Sequence, residues 1–291
     1  MSHRFGNSQG LVSSQTKPGF AVGGWGIKAL SLVAAAAVMA AGQTASATTT
    51  SPPQIWAGYA LTSLANNNNT FINVSASFVV PAVTPATATG ISAAAFWVGL
   101  DGDGSQRIEQ IGVIAEAETG YSPYYYAFLA TGNGTVNPIA QVQQGDNISV
   151  AVSYNSSTDK YGLYIDDSSQ LGIDETVTPS AGTNPPPASA EWIAEAPGDT
   201  ATGTFYPLAN FGSVTFTGAS ATDSAGATGA INAFNNTQLT LVPNSGLGAQ
   251  ASGLSADGTQ FTVTVATPEP AALGLMSMGG LAILFARRKR R

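Results

Sequence analysis

The sequence predicts an all-β protein built as a two-sheet antiparallel sandwich. Apolar residues alternate with polar or small ones over many short stretches, which is typical of strands with one buried face. Clusters of Gly, Asn, Ser and Pro separate these stretches, for example at residues 66–69 and 185–187. The middle of the chain shows no helical period of useful length. Many short strands at this spacing indicate a sandwich or a jelly roll.

The predicted strands follow one another in chain order. Alternation is clearest at residues 72–80, where Pro81 ends the strand, and at residues 148–154. A turn over residues 155–160 leads into a returning strand at 161–165, so this pair is a predicted hairpin. The other predicted strands are residues 108–113, 124–129, 189–196, 211–217, 238–242 and 260–265.

The N-terminus has the features of a secretory signal peptide. Basic residues precede an apolar run at 29–41, and Ala45-Ser46-Ala47 supplies the small-x-small pattern of a cleavage site. A helix of about 13 residues rises about 20 Å, which is short of the roughly 30 Å hydrocarbon core of a bilayer. We therefore expect residues 1–47 to be a removed signal with an apolar helix rather than an anchor.

The C-terminus carries a second signal at residues 268–291. Pro268-Glu269-Pro270 precedes an apolar segment at 271–286 and a basic cluster at 287–291. This pattern resembles the PEP-CTERM sorting signal of Gram-negative bacteria. The resemblance implies export, transient anchoring in the inner membrane by a transmembrane helix, and processing by an exosortase-type enzyme at the cell surface or extracellular matrix. An ordinary C-terminal membrane anchor is the alternative.

Residues 48–267 remain for one domain, and their composition excludes several kinds of chemistry. The only histidine is His3 in the leader, and the chain has no cysteine. Serine or cysteine nucleophiles paired with histidine, the usual zinc sites and disulfides are therefore excluded. The domain keeps two basic and sixteen acidic residues, a formal balance of −14. This charge argues against nucleic acid as a partner. We expect no metal and no other cofactor.

Four segments of this domain carry a family resemblance. They are Trp-Ala-Gly-Tyr at 56–59, Trp-Val-Gly-Leu-Asp-Gly at 97–102, Glu-Gln-Ile-Gly at 109–112 and Ala-Glu-Trp-Ile-Ala-Glu at 190–195. Together they resemble the glutamic peptidase (eqolisin) family. The resemblance implies a concanavalin-A-like β-sandwich with two catalytic side chains on neighbouring strands of its concave face.

By this resemblance Gln110 matches the catalytic glutamine and Glu195 the catalytic glutamate. Strand alternation alone does not choose between Glu191 and Glu195, because residues four apart share a face. A carboxylate with an ordinary pKa of about 4.3 accepts a proton from water in mild acid. A glutamine amide stabilises the oxyanion by about 3 to 4 kcal/mol without titrating. The expected function is an exported acid endopeptidase that cleaves polypeptides with a directly attacking water.

Trp97, Asp101 and Tyr126 are the expected substrate-side residues. The resemblance places Trp97 and Asp101 near the active site, where Asp101 orients the segment that bears the glutamine. The alternatives are that Trp97 belongs to the core and that Asp101 caps a turn. The tyrosines at 124–126 keep the aromatic character of a family strand that typically contains a glutamate, which this chain lacks.

Other functions stay open at this point. The Asp-Gly-Asp-Gly-Ser segment at 101–105 resembles the start of a calcium loop, but Gly112 stands where an EF-hand needs a glutamate. A calcium site of another kind remains an alternative. A non-catalytic or carbohydrate-binding protein of the polysaccharide matrix is the main rival. Glu191 and Glu195 on one strand lie about 13 Å apart, too far for a glycosidase pair, although carboxylates from different strands are not excluded.

Overall fold

The computed structural model describes residues 32–33, 55–103, 105, 107–132, 134–168, 186–199, 204–243 and 246–266. In this part of the chain it contains seventeen strands and a single 3-10 turn. Every pairing between these strands is antiparallel. The all-β, antiparallel prediction is confirmed.

The strands are numbered in chain order. They are β1 (Leu32–Val33), β2 (Trp56–Thr62), β3 (Phe71–Val79), β4 (Ile91–Leu100), β5 (Glu109–Glu118), β6 (Tyr124–Thr131), β7 (Thr135–Gln141), β8 (Asn147–Asn155), β9 (Lys160–Asp167), β10 (Ser189–Glu195), β11 (Gly198–Asp199), β12 (Thr204–Phe205), β13 (Ser213–Asp223), β14 (Thr228–Gly229), β15 (Asn236–Leu241), β16 (Gly248–Ala251) and β17 (Phe261–Ala266). The 3-10 turn is Ile231–Ala233.

The strands form one continuous hydrogen-bonded path. It runs in the order β7–β6–β5–β4–β10–β2–β15–β16–β17–β13–β3–β8–β9. The path curls back on itself, because β4 contacts both β3 and β8, and β5 contacts both β8 and β9. The two halves of the path therefore enclose a shared core.

Aromatic side chains fill this core between the two halves. Phe216 and Phe261 are buried and stack with ring centroids 5.1 Å apart and an interplanar angle of 13°. The buried Trp192 on β10 donates its indole N–H to the backbone oxygen of Ser75 on β3 at 2.9 Å. Each such side chain contributes about 1.5 to 3 kcal/mol by leaving water. Because the chain has no disulfide, burial and hydrogen bonds hold the two halves together.

The predicted strands are present, and the hairpin prediction is confirmed as β8 and β9. Alternation did not predict β2, β4, β7 and β16, nor the four two-residue strands β1, β11, β12 and β14. In β4 almost every residue is buried, whichever face it occupies, so no polar and apolar alternation is available to identify it. Pro138 interrupts the pattern of β7.

The predicted terminal helices fall almost entirely outside the described residues. Of the leader, only Leu32–Val33 is described, and it forms a two-residue strand paired with β7 and β11 instead of a helix. The sorting tail at 268–291 also lies outside the described residues. Among the residues that are described, no helix has the length and apolar character needed to cross a membrane.

Candidate active site

The strands β2, β10, β4, β5 and β6 lie side by side, and their register defines two faces. Residues directly opposite each other on paired strands share a face. Glu195 lies opposite Ala95, and Trp97 lies opposite both Ile193 and Gly112. Gln110 lies opposite Gly99 on the same side. The face that carries these residues, here called the site face, is the one turned away from the shared core. The predicted catalytic residues therefore lie on one face.

Two glycines on the site face allow the strands to approach closely. A Cβ atom at Gly112 would lie 2.0 Å from the backbone oxygen of Phe96, and one at Gly58 would lie 2.0 Å from that of Trp192. Gly58 also has a φ of 151°, which disfavours any other residue. Only glycine fits at these positions, because any side chain would overlap the backbone of the neighbouring strand.

Glu195 is held between two tryptophans. Its Oε2 accepts the indole N–H of Trp97 at 2.8 Å, and the ring of Trp56 meets that of Trp97 edge-on at 5.1 Å. Burial raises the pKa of Glu195 from 4.5 to about 8, although the Trp97 and Trp56 N–H groups lower it. Oε1 has no hydrogen-bond partner in the described part of the chain. The ordinary pKa expected from the sequence is not what this buried environment produces.

Gln110 is fully buried on β5. Neither atom of its side-chain amide has a hydrogen-bond partner among the described residues. A Cβ at the neighbouring Gly99 would lie 3.3 Å from the Gln110 Cβ and 2.9 Å from the Trp97 ring. The Trp97 indole thus donates its N–H group to Glu195, while its six-membered ring lies beside Gly99, the residue opposite Gln110 on β4. Native proteins rarely leave a buried amide unpaired, so this one is suited to a ligand.

Glu191 also lies on the site face, directly across Gly99 from Gln110. It is fully buried, and its Oε1 accepts the backbone N–H of Asp103 at 3.3 Å. Burial raises its pKa well above the ordinary value, and the negative charges of Asp103 and Asp101 add to this. Sequence periodicity shows only that Glu191 shares a face with Glu195. Its alignment with Gln110 depends on β4 lying between β10 and β5.

Asp101 supports the turn after β4. It has a φ of 63° and is buried, and its Oδ1 accepts the backbone N–H of Ala188 at 2.8 Å. Burial raises its pKa to about 6. This bond joins the β4–β5 connection to the segment that enters β10, as expected for a turn-capping residue. Nearby, Arg107 lies 3.4 Å from Glu109, whose pKa burial raises to about 7.

Tyr126 is buried on the site face, in the same row as Glu195 and Ala95. Its hydroxyl donates to Glu116 Oε1 at 3.1 Å, and its ring lies 5.6 Å from that of Tyr124. Although β6 itself lacks an acidic residue, the neighbouring strand β5 thus presents a carboxyl to Tyr126.

The described residues contain no group of three or more His, Cys, Asp or Glu side chains arranged to hold a metal ion. The carboxylates of Asp101 and Glu109 each accept a backbone N–H group, and Glu109 also accepts the Arg107 guanidinium.

A comparison with known families decides the relationship. The profile of the Peptidase A4 family matches residues 54–265. The chain belongs to this family. It is therefore a peptidase of the glutamic type, and the resemblance noted in the sequence is confirmed. No curated protein sequence matches the chain.

Solved structures share the fold of this A4 family member. A crystal structure of scytalido-glutamic peptidase with a transition state analog inhibitor has a TM-score of 0.59 and 21% identity, covering 73% of this chain and 98% of that one. The structure of SCP-B, a member of the eqolisin family in complex with the tripeptide Ala-Ile-His, has a TM-score of 0.52 and 20% identity, with the same coverage of 73% and 98%.

The C-terminal residues match a second family. The PEP-CTERM protein-sorting motif covers residues 266–291. This confirms the resemblance at the tail and identifies a secreted protein targeted to the cell envelope of a Gram-negative bacterium.

Proposed function

We propose that this A4 peptidase is an exported acid endopeptidase in which Glu195 and Gln110 act as a dyad on a peptide bond. One observation carries the proposal. A fully buried, unpartnered glutamine amide on β5 and a carboxyl on β10 that Trp97 fixes occupy one face of the sheet, with β4 between the two strands. Unsatisfied polar groups of this kind are costly to a fold, and a bound peptide group relieves that cost. The supporting architecture we propose is a two-layer β-sandwich.

Gln110 supplies the electrostatic part of the mechanism. Its Nε2–H groups donate to the oxygen of the scissile carbonyl as that oxygen becomes negative, and its Oε1 accepts a hydrogen bond from the attacking water. Because an amide does not titrate, both contacts persist at low pH. A preorganised donor in a dry site is worth about 3 to 4 kcal/mol in the transition state.

Glu195 carries the proton. With a pKa raised to about 8 by burial, it begins the cycle protonated in acid. Because Glu195 Oε2 accepts the Trp97 indole N–H, the carboxylic acid proton of Glu195 is on Oε1. This proton passes to the leaving nitrogen, and the carboxylate accepts a proton from the attacking water. The C–N bond breaks and a C–O bond forms, and Glu195 ends in its starting state without a covalent intermediate.

The site face also provides the substrate contacts that we propose. The indole of Trp97 and the buried Tyr126 flank the row that contains Glu195. They offer flat apolar surface to substrate side chains on either side of the scissile bond. Asp101 contributes by fixing the turn that precedes the strand of Gln110.

The tail completes the proposed function by deciding where the enzyme works. Residues 268–291 anchor the chain transiently in the inner membrane until an exosortase-type enzyme processes it. The peptidase domain then acts at the cell surface or in the extracellular matrix. A formal balance of −14 in residues 48–267 is compatible with polypeptide substrates and disfavours nucleic acid.

Cleavage of casein and of internally quenched peptides between pH 2 and 8 tests this function. We expect internal bonds to be cut, and Glu195→Gln to reduce kcat by about 100-fold to 10,000-fold because the proton carrier is lost. Glu118→Gln is the matched control, since Glu118 lies at the opposite end of β5 from Gln110 and is expected to keep wild-type activity. Glycan binding without proteolysis at any pH would favour the matrix-protein alternative.

A further inference from the structure

The space over Gly99, here called the gap, lies between Gln110 and Glu191 on the site face. Both residues lie opposite Gly99, one on each side, and the edge of the Trp97 ring borders the space over this glycine. Two strand spacings put their Cα atoms about 10 Å apart. The two side chains form no direct hydrogen bond, and their lengths reduce that separation to a distance that one water can bridge. The gap therefore brings an amide and a carboxyl together in the interior of the protein.

Three polar atoms around this gap lack partners in the described residues. They are Nε2 and Oε1 of Gln110 and Oε2 of Glu191. Leaving such an atom unpaired costs about 1 to 3 kcal/mol. The other Glu191 oxygen, Oε1, accepts the backbone N–H of Asp103 and thereby fixes the carboxyl at the end of the gap.

The proposed oxyanion role creates an orientation problem for Gln110. A carboxamide donates from Nε2 and accepts at Oε1, and only one of its two flipped orientations presents N–H to the substrate. No described residue bonds either atom. A hydrogen-bond donor next to Oε1 would select the productive orientation.

We propose that Glu191 is a positioning residue for Gln110. Its carboxylic acid donates a hydrogen bond through one water to Gln110 Oε1 across the gap over Gly99, and so turns the Nε2–H groups toward the substrate. This inference rests on the proposed function of Gln110. It assigns Glu191 no contact with the substrate itself.

The surroundings of Glu191 keep it in the donating form. Burial raises its pKa well above the ordinary value, and the nearby charges of Asp103 and Asp101 raise it further, while the Ser189 hydroxyl and the Asp103 backbone N–H lower it. The Arg107 cation is engaged with Glu109 at 3.4 Å. An ionised Glu191 would accept hydrogen bonds only, attract Nε2–H and reverse the amide. Activity is therefore lost as pH rises through the pKa of Glu191.

Nuclear magnetic resonance of the secreted protein with 15N-labelled glutamine tests the contact without turnover. We expect the Gln110 side-chain NH₂ resonances, assigned by their absence in Gln110→Ala, to shift as pH rises, and this titration to disappear in Glu191→Gln. The matched control Glu109→Gln removes a buried carboxyl from the opposite face and should leave the titration unchanged. Resonances that titrate identically in wild type and Glu191→Gln would overturn the proposal.

Kinetics supply the second readout. Glu191→Gln still donates a hydrogen bond, so we expect its kcat to stay within about 3-fold of wild type. Because this variant has one ionising group fewer, its activity should fall less steeply with pH on the high-pH side. Glu191→Leu cannot donate, and we expect kcat to fall at least 10-fold with KM nearly unchanged. Equal losses in both variants would indicate a structural role and overturn the proposal. An inactive wild-type protein whose NH₂ titration still depends on Glu191 would instead count against the proposed peptidase mechanism alone.

Discussion

The core face and the site face of the β2, β10, β4, β5 and β6 layer are both buried, yet they differ in chemistry. On the core face, side chains such as Phe96 and Trp192 are apolar or fully hydrogen-bonded. The site face holds Gln110, Glu191 and Glu195, each with at least one polar atom that no described residue satisfies. Burial alone therefore does not identify the core. Single unpartnered atoms also occur on the core side, at Glu109 Oε2 and the Tyr161 hydroxyl, so the grouping of three such residues on one face is what distinguishes the site face.

Truncation on the core face is expected to have the largest effect on stability. Trp192→Ala removes a fully buried indole and its hydrogen bond to Ser75. We expect a loss of about 3 to 5 kcal/mol in the free energy of unfolding, measured by urea denaturation. A loss below about 1 kcal/mol would mean that the two halves of the sheet do not depend on this contact.

The equivalent truncation on the site face is expected to affect catalysis instead. Gln110→Ala removes the oxyanion donor, and we expect kcat to fall about 100-fold to 1,000-fold, which corresponds to about 3 to 4 kcal/mol. Its free energy of unfolding is expected to change little, because the amide has no described partner to lose. Gln250→Ala, at an exposed position on β16, is the matched control. A Gln110→Ala variant with unimpaired kcat would contradict the dyad.

The buried carboxyls predict that the protein is more stable in acid than at neutral pH. Burial raises the pKa of Glu109 from 4.5 to about 7, so the folded state binds this proton more tightly than the unfolded chain does. The resulting stability is fully present below about pH 4.5 and is lost as pH rises through 7. The shift corresponds to about 3 kcal/mol. In urea denaturation between pH 4 and 8, Glu109→Gln is expected to reduce the change in the free energy of unfolding with pH by this amount.

Trp97→Phe is expected to produce the smallest effect and the most local one. It keeps the aromatic contact with Trp56 but removes the N–H that Glu195 Oε2 accepts. A hydrogen bond to a charged group contributes about 1.5 to 3 kcal/mol, so the pKa of Glu195 should rise by about 1 to 2 units. The high-pH limb of the activity profile should move upward with it. An unchanged limb would show that Glu195 does not govern that ionisation.

Alternation in the sequence was clearest in strands whose two faces differ in exposure, and it failed for β4, whose faces are alike. Alternation identifies β3, β8 and β9, because one of their faces is exposed to solvent. Both faces of β4 are buried, so its sequence carries little alternation. The common face of Gln110 and Glu195 was anticipated through the family resemblance. The alignment of Glu191 with Gln110 required the strand order, which no local pattern contains.

The electrostatics of the site were also beyond the sequence. Asp101 and Glu195 have ordinary carboxyl chemistry in isolation, and their raised pKa values come from burial by residues distant in the chain. The contact between Glu116 and Tyr126 likewise arises because β5 and β6 are paired. Tertiary neighbours, rather than residue type, decide these properties.

The two indoles around Glu195 give the protein a built-in optical reporter. Trp97 bonds the carboxyl directly and Trp56 lies edge-on against Trp97. A protonated carboxylic acid quenches indole emission more strongly than its carboxylate does. Ionisation of the proton carrier should therefore brighten the intrinsic fluorescence, and a spectrofluorimeter can follow the state of the active site with no dye, label or substrate.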